Sequence, residues 1–374
     1  MKIGILTFHN SNNYGAVLQT TALYKKVKSI NSDVEVIDYI CPNKVQTYKS
    51  LDIGKHKSLV KNIYAFLQFP VRKYKNNIFA NEISQMYKIS NNKYENNQDI
   101  SKDYKKWDKV ICGSDQIWNH DNTKFDTTYL LDFIKEDNKK ISYAASFGLS
   151  DIDDKYKAKY TELLNKIENL SVREVRGKEI VKELTNRDSQ VVLDPTLLLN
   201  KEEWIEFAQS IPQNEKYVLI YTLGRNKEVD KQAEIISKKL GCKVVKIATD
   251  ALDFVSKYKC VIPNPQQYVD LINNAACVVT DSFHGTIFSV NLNVPFYTVL
   301  KSTNKRNSRI TGILDIVGLS DRVIYDRAKD IEITSINYLE VNKKLDNERL
   351  KSINFLTNSL NNFINDKDMV INEV

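Results

Sequence analysis

The sequence has no apolar run long enough to cross a membrane, since no stretch approaches the roughly 18–20 consecutive apolar residues that a spanning helix needs. Glycine and proline are also scarce, at 11 and 7 of 374 residues, while hydrophobic residues make up 42%. This composition excludes a disordered, collagen-like or low-complexity protein. Residues 1–6 lead directly into a strand pattern without the apolar core of a signal peptide, so we expect a cytoplasmic protein.

Cysteines are too few and too scattered to build a structural framework. Their number, five, is odd, and no two of them form a C-x-x-C pair. A disulfide framework and a structural zinc site are therefore both disfavoured, and we expect no bound metal.

The net charge of +7 is small for a chain of this length, which argues against a dedicated nucleic-acid-binding protein. The excess is local: 18 Lys and Arg against 9 Asp and Glu give +9 over residues 1–109, so the rest of the chain sums to −2. Its densest part, residues 55–75, interleaves basic with apolar residues. Such a helix either lies on an anionic membrane surface or packs its apolar face on the first domain, and the pattern leaves both open.

Short runs rich in Val and Ile recur, each followed by a polar loop and then by helical periodicity, which is typical of β-α units around a parallel sheet. The chain is long enough for two such cores. We predict an α/β fold of two Rossmann-like doubly wound domains that face a cleft. The first covers residues 1–209, with a basic helical insertion at about 44–106, and the second covers 210–330, followed by a helical tail at 331–374.

The predicted strands lie at 2–8, 34–39, 109–112, 140–146, 170–173 and 190–193 in the first domain, and at 217–222, 243–247, 276–280 and 295–299 in the second. Ligands of open α/β sheets bind beyond the carboxyl ends of the strands, so the polar residues that follow these segments are the candidates for a site.

The strongest candidates, Ser282 and His284, follow residues 276–280 at the start of a helix. An imidazole there could exchange protons near neutral pH, beside helix N–H groups that stabilise an anion; a purely structural histidine is the alternative. Asn13 and Tyr14 follow the first strand and lead into another helix whose first N–H groups could hold an anion. A simple helix cap at Asn13 is the other interpretation.

A second polar loop follows residues 109–112 and contains Asp115, Gln116 and Trp118. A carboxylate, an amide and an aromatic face together could orient a sugar through its hydroxyls and its ring. The alternative is that Asp115 caps the next helix.

Arg173 ends an apolar strand, where its guanidinium could hold a carboxylate or phosphate bidentately, unless it belongs to a solvated face. Arg306 and Arg309 lie in a basic loop that suits phosphate groups. Asp194, followed by Pro195, indicates a turn, and we expect its role to be structural.

Six segments together resemble the polysaccharide pyruvyl transferase family. In the family's order, over roughly residues 1–325, they are Ile3-Gly4-Ile5-Leu6-Thr7 through Asn13-Tyr14-Gly15-Ala16, Gly113-Ser114-Asp115-Gln116-Ile117-Trp118-Asn119, Ser142-Tyr143-Ala144-Ala145-Ser146-Phe147-Gly148, Ser171-Val172-Arg173-Glu174, Asp194-Pro195-Thr196 and Ser282-Phe283-His284-Gly285. Each segment is weak alone, but six in order make a specific match.

The resemblance implies two Rossmann-type domains facing one another, as in GT-B glycosyltransferases, and transfer of pyruvate from phosphoenolpyruvate to two hydroxyls of a sugar as a cyclic ketal. It implies His284 as the acid at the methylene carbon, Asp115 as the base or orienter of the sugar, and Arg173 as a cation for the donor. Some members carry an arginine two places before the histidine, where this chain has Ser282. The second cation is therefore expected from Arg306 or Arg309. Apart from the donor substrate, the resemblance implies no cofactor.

Two other functions share these features. A nucleotide-sugar glycosyltransferase would use the same architecture and basic loop, and a non-catalytic saccharide-binding or scaffold protein would bind glycan without transferring pyruvate. We expect a saccharide acceptor of a cell-surface polymer as partner, free or lipid-linked, and no nucleic acid. The expected location is the cytoplasm, including the inner face of the membrane if the basic helix binds anionic lipid.

Overall fold

The computed structural model describes residues 1–42, 59–213, 215–302, 307–325 and 332–369, and it describes the side chains of all of these except 59–64 and 362–369. Within this part of the chain, two parallel β-sheets organise the fold. None of the helices in the described ranges is both long and apolar enough to span a membrane.

The first sheet consists of five parallel strands in the order β3-β2-β1-β4-β5. Its strands are β1 (Ile3–Leu6), β2 (Val34–Tyr39), β3 (Ile89–Tyr94), β4 (Lys109–Cys112) and β5 (Lys140–Ser142). A parallel pair, β6 (Ser171–Val172) and β7 (Gln190–Val191), adjoins β5 through single bridges. The accompanying helices are α1 (Tyr14–Ile30), α2 (Leu59–Met86), α3 (Asn97–Asp103), α4 (His120–Thr123), α5 (Asp154–Asn165), α6 (Val175–Thr185) and α7 (Lys201–Phe207).

The second sheet consists of six parallel strands in the order β10-β9-β8-β11-β12-β13. Its strands are β8 (Tyr217–Tyr221), β9 (Lys243–Ile247), β10 (Lys259–Val261), β11 (Cys277–Thr280), β12 (Phe296–Leu300) and β13 (Val323–Tyr325). Its helices are α8 (Lys227–Leu240), α9 (Pro265–Asn273), α10 (Phe283–Asn291) and α11 (Ser308–Val317), and a last helix, α12 (Tyr338–Met369), follows.

The predicted fold class is confirmed, because both sheets have the strand order of doubly wound Rossmann-like units. The central strands are buried along their whole length, as in β8 (Tyr-Val-Leu-Ile-Tyr), because crossover helices cover both faces of a parallel sheet. The division into domains at residues 209 and 330 stays a prediction.

The predicted helical insertion at about 44–106 is wrong in its second half. Its residues 44–58 lie outside the described ranges, and α2 follows, but Ile89–Tyr94 then form β3, an edge strand parallel to β2. The sequence hides this strand because only Ser90 and Tyr94 are buried within it, and the polar residues between them face solvent. The short strands β10 and β13 were also not predicted, because they too lie at sheet edges, where part of each strand faces solvent.

Contacts between the two units fix the cleft that they share. The Tyr14 ring at the start of α1 stacks on Tyr268 of α9, with centroids 4.6 Å apart, and its hydroxyl donates to the Pro263 carbonyl. Helix α12 crosses back to the first unit, where Ser352 Oγ accepts from the Leu193 N–H. The two units are therefore joined by apolar and polar contacts on more than one element.

Candidate active site

A cavity of about 470 Å³ lies between the two units, at the carboxyl ends of both sheets. The strand order reverses between β1 and β4 in one sheet and between β8 and β11 in the other, and the loops after all four strands line the cavity. Ligands bind at such switch points in open α/β sheets. The lining residues are Phe8, Ser11, Asn13, Asp115, Gln116, Asn122, Leu223, Asn226, Asp281, Ser282, Phe283, His284, Val299, Leu300, Lys301, Asn307, Arg309 and Ile310.

His284 lies in the first turn of α10, which Ser282 caps by accepting from the Gly285 N–H. Its ring rests against the backbone of α1 from the other unit, so that a Cβ at Gly15 would lie 2.0 Å from His284 Nδ1. No side chain larger than hydrogen fits at Gly15 unless the imidazole moves. The contact is made through Nδ1 and the neighbouring ring carbons, and Nε2 is buried and makes no hydrogen bond.

Behind the ring lies Asp194, whose Oδ2 is 3.8 Å from His284 Nε2. The buried Asp194 carboxylate accepts from Arg173 Nη1 at 2.9 Å and from the Thr196 N–H and hydroxyl at 3.1 and 2.8 Å. Burial alone would raise the pKa of Asp194, but the charges of His284 and Arg173 and these hydrogen bonds lower it, so the carboxylate is ionised.

The pKa of His284 is lowered from its ordinary value of 6.5, chiefly by burial. Asp194 and Asp115 act in the opposite direction because their negative charges favour the imidazolium, and the charges of Arg173 and Arg309 lower the pKa further. The lowered pKa makes the imidazolium a stronger acid and the neutral imidazole the more populated form near neutral pH.

Arg173 is buried and is not among the residues that line the cavity. Its guanidinium lies over the Phe283 ring at 4.8 Å and binds Asp194, while Nε and Nη2 are buried without a hydrogen-bond partner. The guanidinium of Arg309 lies over the same ring at 5.9 Å, and Arg309 does line the cavity. Phe283 thus separates the cavity from Arg173, which supports the site from behind.

A polar contact closes one side of the cavity. With its amide oxygen turned toward Arg309, Gln116 accepts from Nη1 at 2.8 Å and from Nη2 at 3.0 Å. Beside it, Asp115 lies on the cavity wall in a left-handed conformation with φ of 65°. Such backbone conformations are sparsely populated away from glycine and cluster at functional sites.

The structure therefore brings six of the predicted site residues together around one cavity: Asn13, Asp115, Gln116, Ser282, His284 and Arg309. Arg306 lies outside the described residues. The predictions of Tyr14 and Trp118 as ligand contacts are wrong, since both rings are buried in the core. Trp118 Nε1 donates to the Tyr129 carbonyl, because burying an aromatic ring in apolar surroundings is more favourable than leaving it at the cleft.

Sequence reasoning missed other residues of the site. Asp194 was interpreted as a turn residue, yet it is the buried partner of both Arg173 and His284. Leu223, Asn226 and Asp281 follow predicted strands directly, so the rule about carboxyl ends of strands could have found them. In the described part of the chain, no three His, Cys, Asp or Glu side chains lie close enough to share a metal ion.

The family model described as polysaccharide pyruvyl transferase matches residues 13–301 of the chain. No curated protein matches it. Similar solved structures include the UDP complex of S. aureus MnaA (TM-score 0.48, 10% identity, 98% of this chain and 97% of that one), and Methanocaldococcus jannaschii UDP-GlcNAc 2-epimerase in complex with UDP-GlcNAc and UDP (TM-score 0.46, 14% identity, 93% of each chain). E. coli ADP-heptose lps heptosyltransferase II has a TM-score of 0.37 and 11% identity, over 94% of this chain and 99% of that one. At these identities and TM-scores, no substrate is inferred from the similarity.

Because His284 lies so close to α1, a single methyl group added at Gly15 should affect the position of the imidazole. Gly15→Ala should displace the imidazole and lower turnover at least about 10²-fold, since misplacing a reacting group by about 1 Å costs that much. Gly312→Ala in α11, where a Cβ meets nothing within 4 Å, is the matched control and should keep full turnover. Equal turnover of both variants would mean that the contact does not position His284.

The charges around His284 predict its titration. Asp194→Asn removes a negative charge that favours the imidazolium, so the His284 pKa should fall further below 6.5. Side-chain NMR titration measures this, with the His284 resonance assigned by its loss in His284→Ala. Asp38→Asn, next to His9, should leave the His284 titration unchanged. A His284 pKa that rises or stays constant in Asp194→Asn would contradict the coupling.

Proposed function

The chain belongs to the polysaccharide pyruvyl transferase family, and from this premise we propose that it transfers pyruvate from phosphoenolpyruvate to two hydroxyls of a saccharide, forming a cyclic ketal. It is a transferase of polysaccharide biosynthesis. We propose in addition the donor, the acceptor and the roles of individual residues.

The observation that carries the proposal is the convergence of positive groups on one end of the cavity. Helices α1 and α10, one from each unit, begin there, and their caps Asn13 and Ser282 both line the cavity. The N-terminus of a helix carries a partial positive charge and N–H groups that bind anions. Arg309 adds a full charge on the same wall as His284. Phosphoenolpyruvate, with a phosphate and a carboxylate close together, fits such an environment.

The chemistry requires an acid, a cation and a base. His284 protonates the methylene carbon of the enol phosphate, which leaves a cationic centre at the neighbouring carbon. A first sugar hydroxyl adds to that carbon and loses its proton to Asp115. Phosphate then leaves with its bonding electron pair, and the second hydroxyl adds to close the ketal. Of the two protons lost by the hydroxyls, one restores His284 and the other goes to phosphate, so the reaction balances.

Arg309 and the two helix starts hold the negative charge of the donor in this scheme. Arg173 acts indirectly in this scheme, because it donates a hydrogen bond to the Asp194 carboxylate and packs on the Phe283 ring instead of contacting the donor. This replaces the direct donor contact expected of Arg173 from the sequence. Asp194 in turn lies 3.8 Å from His284 Nε2, without a hydrogen bond, and its negative charge favours the imidazolium.

The two alternatives make different products. A nucleotide-sugar glycosyltransferase would transfer a sugar from a sugar nucleotide and ignore phosphoenolpyruvate, and a binding protein would release no phosphate at all. The purified protein should be incubated with phosphoenolpyruvate and a panel of lipid-linked and p-nitrophenyl glycosides. Mass spectrometry should find an acceptor heavier by one pyruvate ketal, together with free phosphate. Sugar transfer from nucleotides without any ketal would support the glycosyltransferase instead.

The proposed acid role of His284 has a direct test. His284→Ala should bind phosphoenolpyruvate with little change and unfold at the same temperature, while turnover falls by roughly 10²–10⁴-fold. His120→Ala, at a histidine that does not line the cavity, is the control and should keep its turnover. Near-native turnover of His284→Ala would contradict the assignment of His284 as the acid.

We also propose that the protein attaches reversibly to an anionic membrane surface through the outer face of α2. Phe66, Leu67 and Tyr74 are 64%, 50% and 56% exposed there, next to Arg72 and Lys73. Residues 53–81 contain six Lys and Arg and no Asp or Glu. Lys57 and other basic residues of this segment lie outside the described residues.

A second element extends this surface. The turn at Ala251–Val255, which follows β9, contacts α2 through a hydrogen bond from the Ala251 N–H to Gln68 Oε1. Its Phe254 and Val255 are 48% and 81% exposed. Since the turn lies at the carboxyl end of its sheet, the exposed apolar side chains stand at the same end as the cavity, where a lipid-linked acceptor would arrive. The inner face of α2, with Ala65 and Phe79, packs on the protein, so the packing of this helix leaves its outer face available for the proposed membrane contact.

Sedimentation with anionic liposomes tests the membrane proposal. The protein should bind at low ionic strength and dissociate as salt is added, since each basic residue near the surface contributes about 1 kcal/mol. Arg72→Ser/Lys73→Ser should weaken binding by roughly 30-fold, the equivalent of about 2 kcal/mol. Lys155→Ser/Lys159→Ser, which removes two exposed charges from α5, is the matched control. No binding at low salt, or an equal loss in both variants, would contradict the proposal.

A further inference from the structure

A second carboxylate, Asp281, lines the cavity. It is the first residue after β11, and one oxygen accepts from the Leu223 N–H at 3.2 Å while the other accepts from Asn226 Nδ2 at 2.9 Å. Asn226 is itself held in place, because its side-chain oxygen caps α8 by accepting from the N–H groups of Glu228 and Val229. Its amino group is thereby fixed toward Asp281.

The chemistry of this group selects its ligand. A carboxylate has about four acceptor positions, so two remain after the two hydrogen bonds from Leu223 and Asn226. Its negative charge repels phosphate and carboxylate, but it accepts well from hydroxyls. Beside it, the Leu223 side chain is 64% exposed at the cavity wall, which gives the C–H face of a sugar ring an apolar surface to cover.

The cavity wall therefore carries groups of two kinds. His284, Arg309 and the starts of α1 and α10 favour anions, whereas Asp281 and Asn226 favour uncharged hydroxyl groups. Burial raises the pKa of Asp281 from its ordinary value of 3.8, although hydrogen bonds from Asn226 and Leu223 and the charge of Lys301 lower it. A carboxylate with a raised pKa is a stronger base than an ordinary aspartate.

We propose that Asp281, Asn226 and Leu223 form the acceptor subsite, in which Asp281 binds the saccharide and takes the proton of its second hydroxyl. This rests on the proposed function, because ketal formation deprotonates two hydroxyls in succession. Asp115 serves the first hydroxyl from one unit, and Asp281 serves the second from the other. As the second oxygen bonds to the carbon that phosphate has left, its proton passes to Asp281, and from there to the released phosphate.

Three measurements on Asp281→Asn test the subsite. Calorimetry with p-nitrophenyl β-galactoside and the corresponding glucosides and mannosides, in the absence of phosphoenolpyruvate, should show affinity reduced about 10-fold or more. Phosphoenolpyruvate affinity should stay constant or increase, since a negative charge is removed from the cavity. Turnover should fall by roughly 10²-fold or more, as expected when a general base is lost.

The controls separate binding from folding. Asp250→Asn changes a carboxylate in the neighbouring loop that is not among the lining residues of the cavity, and Asn preserves its capping role, so its three values should equal those of the wild type. If Asp281→Asn fails to fold, Asn226→Ala removes the donor that orients Asp281, and its glycoside affinity should fall in the same way.

The outcomes are distinct. Three results would overturn the subsite. The first is a folded Asp281→Asn variant with unchanged glycoside affinity and turnover, and the second is a variant in which only the binding of phosphoenolpyruvate is weakened. The third is a wild-type protein that binds no glycoside of the panel. Glycoside binding that depends on Asp281 in a protein that makes no ketal would keep the subsite and refute the proposed function.

Discussion

The architecture of the site depends on one contact, the imidazole of His284 held between the bare backbone of Gly15 and the carboxylate of Asp194. Gly15 belongs to α1 of the first unit and His284 to α10 of the second, so the ring is positioned only when the two units meet. Asp194 keeps its charge because Arg173 pairs with it in the buried interior. The helix starts, the buried ion pair and the glycine are parts of one arrangement that places the His284 imidazole at the cleft.

Two doubly wound sheets meet at that cleft, and each contributes the loops at its own switch point to the common cavity. The second unit supplies His284 and Arg309 as well as Asp281, and the first supplies Asp115. His284 and Arg309 favour a negatively charged group, and Asp281 favours hydroxyl groups. Within a partly buried cavity such charges act more strongly than in water.

Where burial determines the pattern of residues in a strand, the strand could be predicted from the sequence. The central strand Lys109–Cys112, for example, was predicted to the residue because it is buried along its whole length. The edge strand Ile89–Tyr94 was not, since a half-exposed strand keeps polar residues. In the site, the rule about strand ends located Asp115 and His284. It could not tell that Trp118 turns into the core, or that Asp194 completes an ion pair with Arg173, because those contacts join segments distant in the chain.

The central claim is that the enzyme protonates the methylene carbon of phosphoenolpyruvate and traps the resulting centre with two sugar hydroxyls. The most direct measurement is to run the reaction in deuterium oxide and examine the ketal by NMR and mass spectrometry. Since the proton on His284 exchanges with solvent, the account predicts one solvent deuterium in the methyl group of every ketal. A ketal whose methyl group carries no deuterium, or consumption of phosphoenolpyruvate without any ketal, would contradict it.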